Sequence, residues 1–382
     1  MRVLFCFMLA LSALSAYAGA SGFSDVRALY PELSEQALHE KINGAQDAFH
    51  LYRALVPLYY KMLADGAVHE LVPSGEARGW CAGDAHPENF GALLQKDGRV
   101  VFSINDMDDA GPCPLWADAL RFFAAVKLHD GHIDLDPLLN AYRDGVEGKT
   151  EKLSAAVLAM IDDAKNGGRA SQKKFVDQDG SRLKRDEAIE DVPRDMQEQI
   201  AQTLQNKLPH MKRLLDAAIA KHETGGSGGL QRYLALVKFH EDPEVGSGTL
   251  VIELKQLSRP GIFPLEHAPT PAQAERIART LQLEQGIAFS PKYVPLQLRI
   301  EMQNFDYLAR PRWQGNVSFK FGKQGEEKAL KDMANILGLL HARSAHDLLA
   351  YRKALSVSKD HDWKHAAQAI ATRFEEAYKA LK

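Results

Sequence analysis

Two short runs carry residue types that suit phosphate and metal chemistry. "GDAHPENFG" at residues 83–91 offers Asp84, His86 and Asn89, and "INDMDDAG" at 104–111 offers Asp106, Asp108 and Asp109. Between them, Phe90 to Gln95 and Val100 to Asn105 are strand candidates around Lys96-Asp97-Gly98-Arg99, and Asp-Gly is a favoured two-residue hairpin turn. With that turn, Phe90 faces Asn105 and Asn89 faces Asp106, with directly opposed Cα atoms roughly 4.5–5.5 Å apart. An amide oxygen and a carboxylate at such a distance suit Mg2+, which takes oxygen ligands and keeps waters for phosphate substrates. Asp84 precedes Asn89 by five positions, the spacing of catalytic carboxylate and metal-binding Asn in phosphotransfer loops. Asp108 and Asp109 could be plain turn residues. Burying six polar groups at one open end is costly unless something pairs them, which favours a ligand or metal there.

The elements that must position these residues are legible in outline. Phe49, Tyr52, Val56, Tyr59, Tyr60 and Leu63 recur at helical spacing within a helical stretch from Ser24 to about Ala67. Short strands fill 78–105, and a helix over 114–145 presents Leu115, Ala119, Phe122, Phe123 and Val126. Residues 148–222 read as charged and helix-prone, broken at "NGG" and "DQDGS". Composition shifts at "TGGSGG", Thr224 to Gly229, after which "LQRYLALVKF" and "TLVIELKQL" read as strands. A helix with Ile277 and Leu281, an extended "YVPLQLRIEM" and helices from Lys328 complete the chain.

The loop "GDAHPENFG" followed by "INDMDDAGPCPLWADALRF" resembles the catalytic and metal loops of aminoglycoside phosphotransferase and choline kinase relatives. More closely it resembles the bacterial domain of unknown function 2252 family, a kinase-like group. "LYRA" at 51–54, "GGSGGLQRYLALV", "VIELKQ" and "LLHARSAHDLLAYRKAL" agree with it. The resemblance implies Asp84 as the base for an attacking hydroxyl, His86 as a shaper of the loop, and Asn89, Asp106 and Asp108 as metal ligands. Asp118 would support the catalytic loop. Gly225, Gly226, Ser227, Gly228 and Gly229 would cover nucleotide phosphates, and Lys255 would neutralise them. The expected fold is α+β, a protein kinase-like two-lobed fold with helical additions. It is apparently circularly permuted, because Lys255 follows Asp84 by about 170 residues. The helical Glu that should meet the lysine falls near Arg279, leaving Glu275 or Glu284 as substitutes. The lobes divide as 21–147 and 328–382 (large), 148–223 (a charged helical insertion) and 224–327 (small).

Plainer readings stand beside these. Gly/Ser runs are commonly flexible linkers, Lys255 could snorkel from an edge strand, and His341 and Arg343 could simply bridge lobes. The reading that results is Mg2+-dependent phosphoryl transfer from ATP or another nucleotide to a small hydroxyl or amine. The alternatives are a metal-dependent phosphoesterase and a non-catalytic ligand-binding module. Asp84→Ala is expected to leave the fold intact.

The chain opens with a basic residue, an apolar run from Val3 to about Ala18 and small-x-small sites, the pattern of a signal peptide over 1–20. An exported, periplasmic or secreted protein without stable membrane insertion follows. Cys6 leaves with the leader, and Cys81 and Cys113, flanking the acidic hairpin, could pair. The formal charge of −3 gives no nucleic-acid footprint and leaves a small-molecule substrate as the expected partner.

Overall fold

A computed structural model describes residues 22–68, 77–94, 99–167, 175–208, 210–221, 228–240, 248–257, 259–266, 275, 277–278, 298–312 and 317–382. The leader 1–20, the turn Lys96 to Gly98, Gly225 to Ser227, Arg279 and Glu284 lie outside the described residues.

Four N-terminal helices come first: α1 Phe23–Leu29, α2 Glu35–Asn43, α3 Ala48–Ala54 and α4 Val56–Ala64. Their boundaries have local causes. Ser34 accepts from Ala37 N at 3.0 Å to start α2, Asp47 accepts from His50 N at 2.8 Å to start α3, and Pro57 sits in the first turn of α4. Strands β1 Arg78–Cys81, β2 Phe90–Leu94, β3 Val100–Ile104 and β4 Gly111–Pro114 lead into helices α5 Leu115–His129, α6 Asp136–Val146 and α7 Ala155–Gly167. After β5 Ile189–Asp191 come α8 Arg194–Lys207, β6 Met211–Ala220, β7 Arg232–Phe239, β8 Thr249–Gln256, α9 Phe263–Glu266, β9 Leu298–Met302, β10 Phe305–Pro311 and β11 Val317–Ser318. Helices α10 Glu326–Ser344, α11 Leu348–Val357 and α12 Asp360–Leu381 close the chain. The fold is α+β.

Three sheets form: β1-β4, β11-β2-β3, and a six-stranded antiparallel sheet ordered β5-β6-β7-β8-β10-β9. One core cluster joins α1–α7, β1–β4 and α10–α12. A second packs α8 on one face of the six-stranded sheet through Ile200, Leu204, Ala235, Ile252 and Ile300. Helices α6 and α10 cross closely, since a Cβ on Gly145 would lie 2.1 Å from the Asn335 carbonyl and one on Gly338 2.1 Å from that of Tyr142. Among the described residues no helix is long and apolar enough to cross a membrane.

The structure corrects two expectations. Met211–Ala220, inside the stretch read as helical, is a strand paired to β7, with register shifts between Met211 and Arg213 and between Leu214 and Asp216. Its Leu, Ala, Lys and Arg favour helix locally, but pairing with the buried β7 overrides that weak preference. The second concerns the hairpin, where Phe90 pairs with Ile104 and Ala92 with Phe102, one residue away from the Asp-Gly register. Opposed residues share a face, and this register buries Phe90, Ile104, Ala92 and Phe102 together. The expected one would have set Phe90 against Asn105. Burial therefore outweighs the two-residue turn, and Leu94 pairs with Val100 across the five residues 95–99.

Candidate functional site

The loop 82–89 is anchored from behind by α5. Asp118, fully buried, accepts from Ala82 N at 2.8 Å and Gly83 N at 3.0 Å, and from Tyr60 Oη at 3.3 Å. His341 Nε2 of α10 lies 3.1 Å from Asp118 Oδ2, while its Nδ1 meets Tyr142 Oη at 2.7 Å, and Tyr142 in turn bonds Tyr351. The supporting role expected of Asp118 is thus met by backbone hydrogen bonds, and His341 extends the support into α6 and α11.

Three residues further along α5, Arg121 reaches the loop from within the core. Its Nε and Nη2 donate to Asp84 Oδ1 at 2.9 and 2.5 Å, its Nη2 also donates to Tyr52 O at 3.0 Å, and its guanidinium lies over the rings of Tyr52 and Tyr59. Asp84 Oδ2 accepts from Asn89 Nδ2 at 3.2 Å and lies 3.4 Å from His86 Nε2. Burial alone would raise the Asp84 pKa, but the Arg121 charge, helped by His86, holds it well below the usual carboxylate range. Burial pushes His86 down to about 4 against the pull of Asp84. Arg53 Nε lies 3.3 Å from the same His86 Nε2, and His86 Nδ1 is buried with no hydrogen-bond partner among the described residues. Arg53 also grips Glu88 at 2.5 Å, and Lys320 reaches the same carboxylate at 3.0 Å.

The acidic turn packs directly on this loop. Gly83 has φ +83°, and a Cβ there would sit 1.9 Å from the Asp109 carbonyl oxygen, so only glycine permits the approach. Cys81 and Cys113 are joined by a disulfide with Cα atoms 5.9 Å apart, tying β1 to β4 at the roots of both loops. Asn89 does not pair with Asp106 as expected; Asn105 N donates to Asn89 O at 2.8 Å, the direct result of the one-residue register change. Asp106 points instead towards the six-stranded sheet. There Lys255 Nζ bonds Asp108 and lies 3.8 Å from Asp106, and Arg310 Nη1 is 4.0 Å from Asp106. Burial and the neighbouring Asp108 push Asp106 up, whereas Lys255 and Arg310 overcome burial to hold Asp108 low. Asp109 takes a separate task, accepting from Gly261 N at 2.7 Å.

Lys255, 4% exposed, therefore meets the acidic turn from about 150 residues away in sequence. The carboxylates beside it come from this turn. Two residues earlier, Glu253 is bound by Arg232 at 2.9 Å, Arg310 at 2.8 Å and Arg312 at 3.6 Å. Of the glycine run, Gly228 and Gly229 are described. Gly229 has φ +81°, and its Cβ position lies 3.0 Å from Ala37 Cβ, setting the end of the run against α2.

Sequence reasoning missed Arg121, Arg310, Glu253 and the Arg53–Glu88 pair. A lone Arg in "ALRFFAAV", one helical turn after Asp118, was a usable signal for Arg121. The Glu253 cluster had none, because its arginines come from separate strands or beyond a strand end. Among the described residues no three His, Cys, Asp or Glu side chains form a metal-holding group. The acidic turn offers the Asp106 and Asp108 carboxylates, while the Asn89 amide nitrogen donates to Asp84 O at 3.0 Å and Oδ2 at 3.2 Å.

Residues 39–137 match the profile of a family described as an uncharacterized protein conserved in bacteria, DUF2252. That span holds the loop, the disulfide, the acidic turn and Arg121, and leaves out Lys255. No curated protein and no solved structure matches the chain.

Proposed function

We propose that this protein is a Mg2+-dependent phosphotransferase on a kinase-like, permuted two-lobed fold, acting outside the cytoplasm on a small hydroxyl or amine acceptor. The observation that carries the reading is the meeting of Lys255 with Asp106 and Asp108 beside the Asp84–Asn89 loop. A lysine placed next to carboxylates at the edge of a half-open site can bind phosphate once they have another cation to satisfy them. The Asp106 and Asp108 carboxylates are oxygen donors of the kind Mg2+ takes, and Asp106 Oδ1 is buried with no hydrogen-bond partner among the described residues. The charge of a Mg2+ held there would offset that of the phosphates. Asp106, Asp108 and Asn89 Oδ1 would hold it, with Lys255 and the glycine run Gly225 to Gly229 on the phosphates of ATP or another nucleotide.

Asp84 is too acidic to be a strong base. Its Oδ2 orients the acceptor hydroxyl or amine and takes the proton only as the new bond forms. Its bond to Arg121 also changes the expected effect of Asp84→Ala, which would strand a fully buried guanidinium, so Asp84→Asn is the better probe. Nucleotide and divalent-metal screening by thermal shift, followed by phosphoryl-transfer assays, tests the reading. ATP with Mg2+ should raise Tm, and Asp84→Asn should lower turnover about 100- to 10,000-fold. Full turnover in Asp84→Asn would overturn it.

One observation favours a non-catalytic binding module instead: Asp84 is neutralised by Arg121 and Lys255 by Asp108, so the charges are satisfied internally. Ligand binding with no transfer in any assay would establish that module. For the phosphoesterase reading, the described residues hold no group of three or more His, Cys, Asp or Glu side chains of the kind a two-metal site needs.

A further inference from the structure

The run "HARSAH" at 341–346 spans the end of α10 and lies along β1, the strand that leads into the Asp84 loop. Ser344 Oγ donates to Trp80 O at 2.9 Å, and His346 N donates to Arg78 O at 2.9 Å. Between them a Cβ on Gly79 would lie 2.7 Å from the Ser344 carbonyl oxygen. The end of α10 is therefore tied to β1, and the loop begins where that contact stops. His341, one helical turn before Ser344, stands at that point.

Asp118 joins α5 and α10 to the loop. Each of its carboxylate oxygens has one backbone amide and one side-chain partner. Oδ1 accepts from Gly83 N at 3.0 Å and from Tyr60 Oη at 3.3 Å. Oδ2 accepts from Ala82 N at 2.8 Å and faces His341 Nε2 at 3.1 Å. A carboxylate held at four points has a fixed plane, and of the two side chains His341 makes the shorter contact. The far side of the imidazole is held as well, since Tyr142 Oη lies 2.7 Å from Nδ1 and bonds Tyr351. Burial raises both phenols well above their usual range, so each keeps its proton. A fully buried imidazole is costly unless its nitrogens are satisfied, and here both are.

What Asp118 holds decides the consequence. Ala82 and Gly83 immediately precede Asp84, and Gly83 touches the acidic turn, where its Cβ position lies 1.9 Å from the Asp109 carbonyl oxygen. A contact that close leaves no slack, so a shift of Gly83 alters the spacing between Asp84 and Asp106. About 1 Å of misplacement between reacting groups can cost on the order of 100-fold in rate.

We infer that His341 is a positioning residue of the Asp84 loop: by donating from Nε2 to Asp118 it fixes the carboxylate that holds Ala82 and Gly83, and through them the spacing of Asp84 from the acidic turn. The inference rests on the phosphotransfer reading for its effect on rate, but not for the hydrogen bonds themselves.

The test pairs two substitutions in the full chain. A Gln amide nitrogen can take the place of imidazole Nε2, and an Asn amide nitrogen that of Nδ1. His341→Gln should keep the bond to Asp118 and transfer phosphoryl groups within about threefold of wild type, whereas His341→Asn should lose about tenfold or more in kcat with the donor KM unchanged within about twofold. Equal kcat losses in the two variants, or full kcat in His341→Asn, would each overturn the inference and leave His341 a bridge between helices. In the wild type, the 15N shifts of the His341 ring, identified by their loss in His341→Gln, should show a proton on Nε2 at neutral pH. A proton on Nδ1 alone would overturn the inference whether or not the variants fold. A wild type that transfers to no acceptor would sink the phosphotransfer reading. The ring signature would then still decide the positioning, together with Ala82 and Gly83 amide proton shifts that move in His341→Asn and stay in His341→Gln.

Discussion

The two halves of the site handle charge in opposite ways. Behind the Asp84 loop the carboxylates are held inside the core, Asp84 by Arg121 and Asp118 by two backbone amides and His341. At the sheet, Lys255, Arg310 and Arg312 share Asp106, Asp108 and Glu253, and the cluster opens to solvent at Asp106 and Arg312, which are 37% and 35% exposed at the side chain. A closed buried network fixes geometry but is out of a ligand's reach. A half-open one is less shielded from water and easier for a ligand to reach. The first half therefore places atoms, and the second is suited to bind.

Mutations should separate the halves by size of effect. Arg121→Met, which leaves Asp84 as an uncompensated buried charge, should cost about 3–5 kcal/mol in urea denaturation. A loss below about 1 kcal/mol would show that the loop is not held from the core in this way. Removing the Cys81–Cys113 bridge by a double Ser substitution should cost about 3–4 kcal/mol, from a loop with a sequence separation of 32. That loss should vanish when wild type and variant are compared under reducing conditions.

His86 gives the next step down. Its folded pKa of about 4 lies below the unfolded value of 6.5, so between those values the unfolded chain binds the extra proton. Stability should therefore fall as pH drops from 6.5 towards 4, by roughly 3 kcal/mol in all. Asp84, depressed by Arg121, extends the loss at still lower pH. His86→Gln should flatten the slope between pH 6.5 and 4, and an unchanged slope would assign it elsewhere. Arg312→Gln should change stability least, by under about 1 kcal/mol, because its pair is long and partly solvated. A larger loss would mean that the sheet cluster is structural after all.

What the sequence disclosed follows the range of the forces involved. The Asp84–Asn89 spacing, the approach of Cys81 to Cys113 and the support from Asp118 were readable because each depends on a few dozen residues folding locally. The approach of Lys255 to Asp106 was readable as well, through a resemblance that supplied the missing long-range geometry. The hairpin register was mistaken although its answer was present, since the alternation of Phe90, Ala92, Phe102 and Ile104 outweighs Asp-Gly once burial is weighed. Met211–Ala220 could not be read locally, because only its neighbour strand makes it extended. The Glu253 cluster was invisible for the same reason, as its arginines meet only when the sheet assembles.

The bridge between Cys81 and Cys113 also alters the topology of the chain. The segment from Cys81 to Cys113 is a covalent ring that the backbone enters and leaves at Cα atoms 5.9 Å apart. A protease cutting anywhere between Gln95 and Arg99 would open the backbone without separating the molecule. The fragment bearing Asp84 and the fragment bearing Asp106 would migrate as one species until reduced, and both loops would stay rooted at the same two sulfur atoms. In a compartment rich in proteases, the ring would let the site outlast the integrity of its own chain.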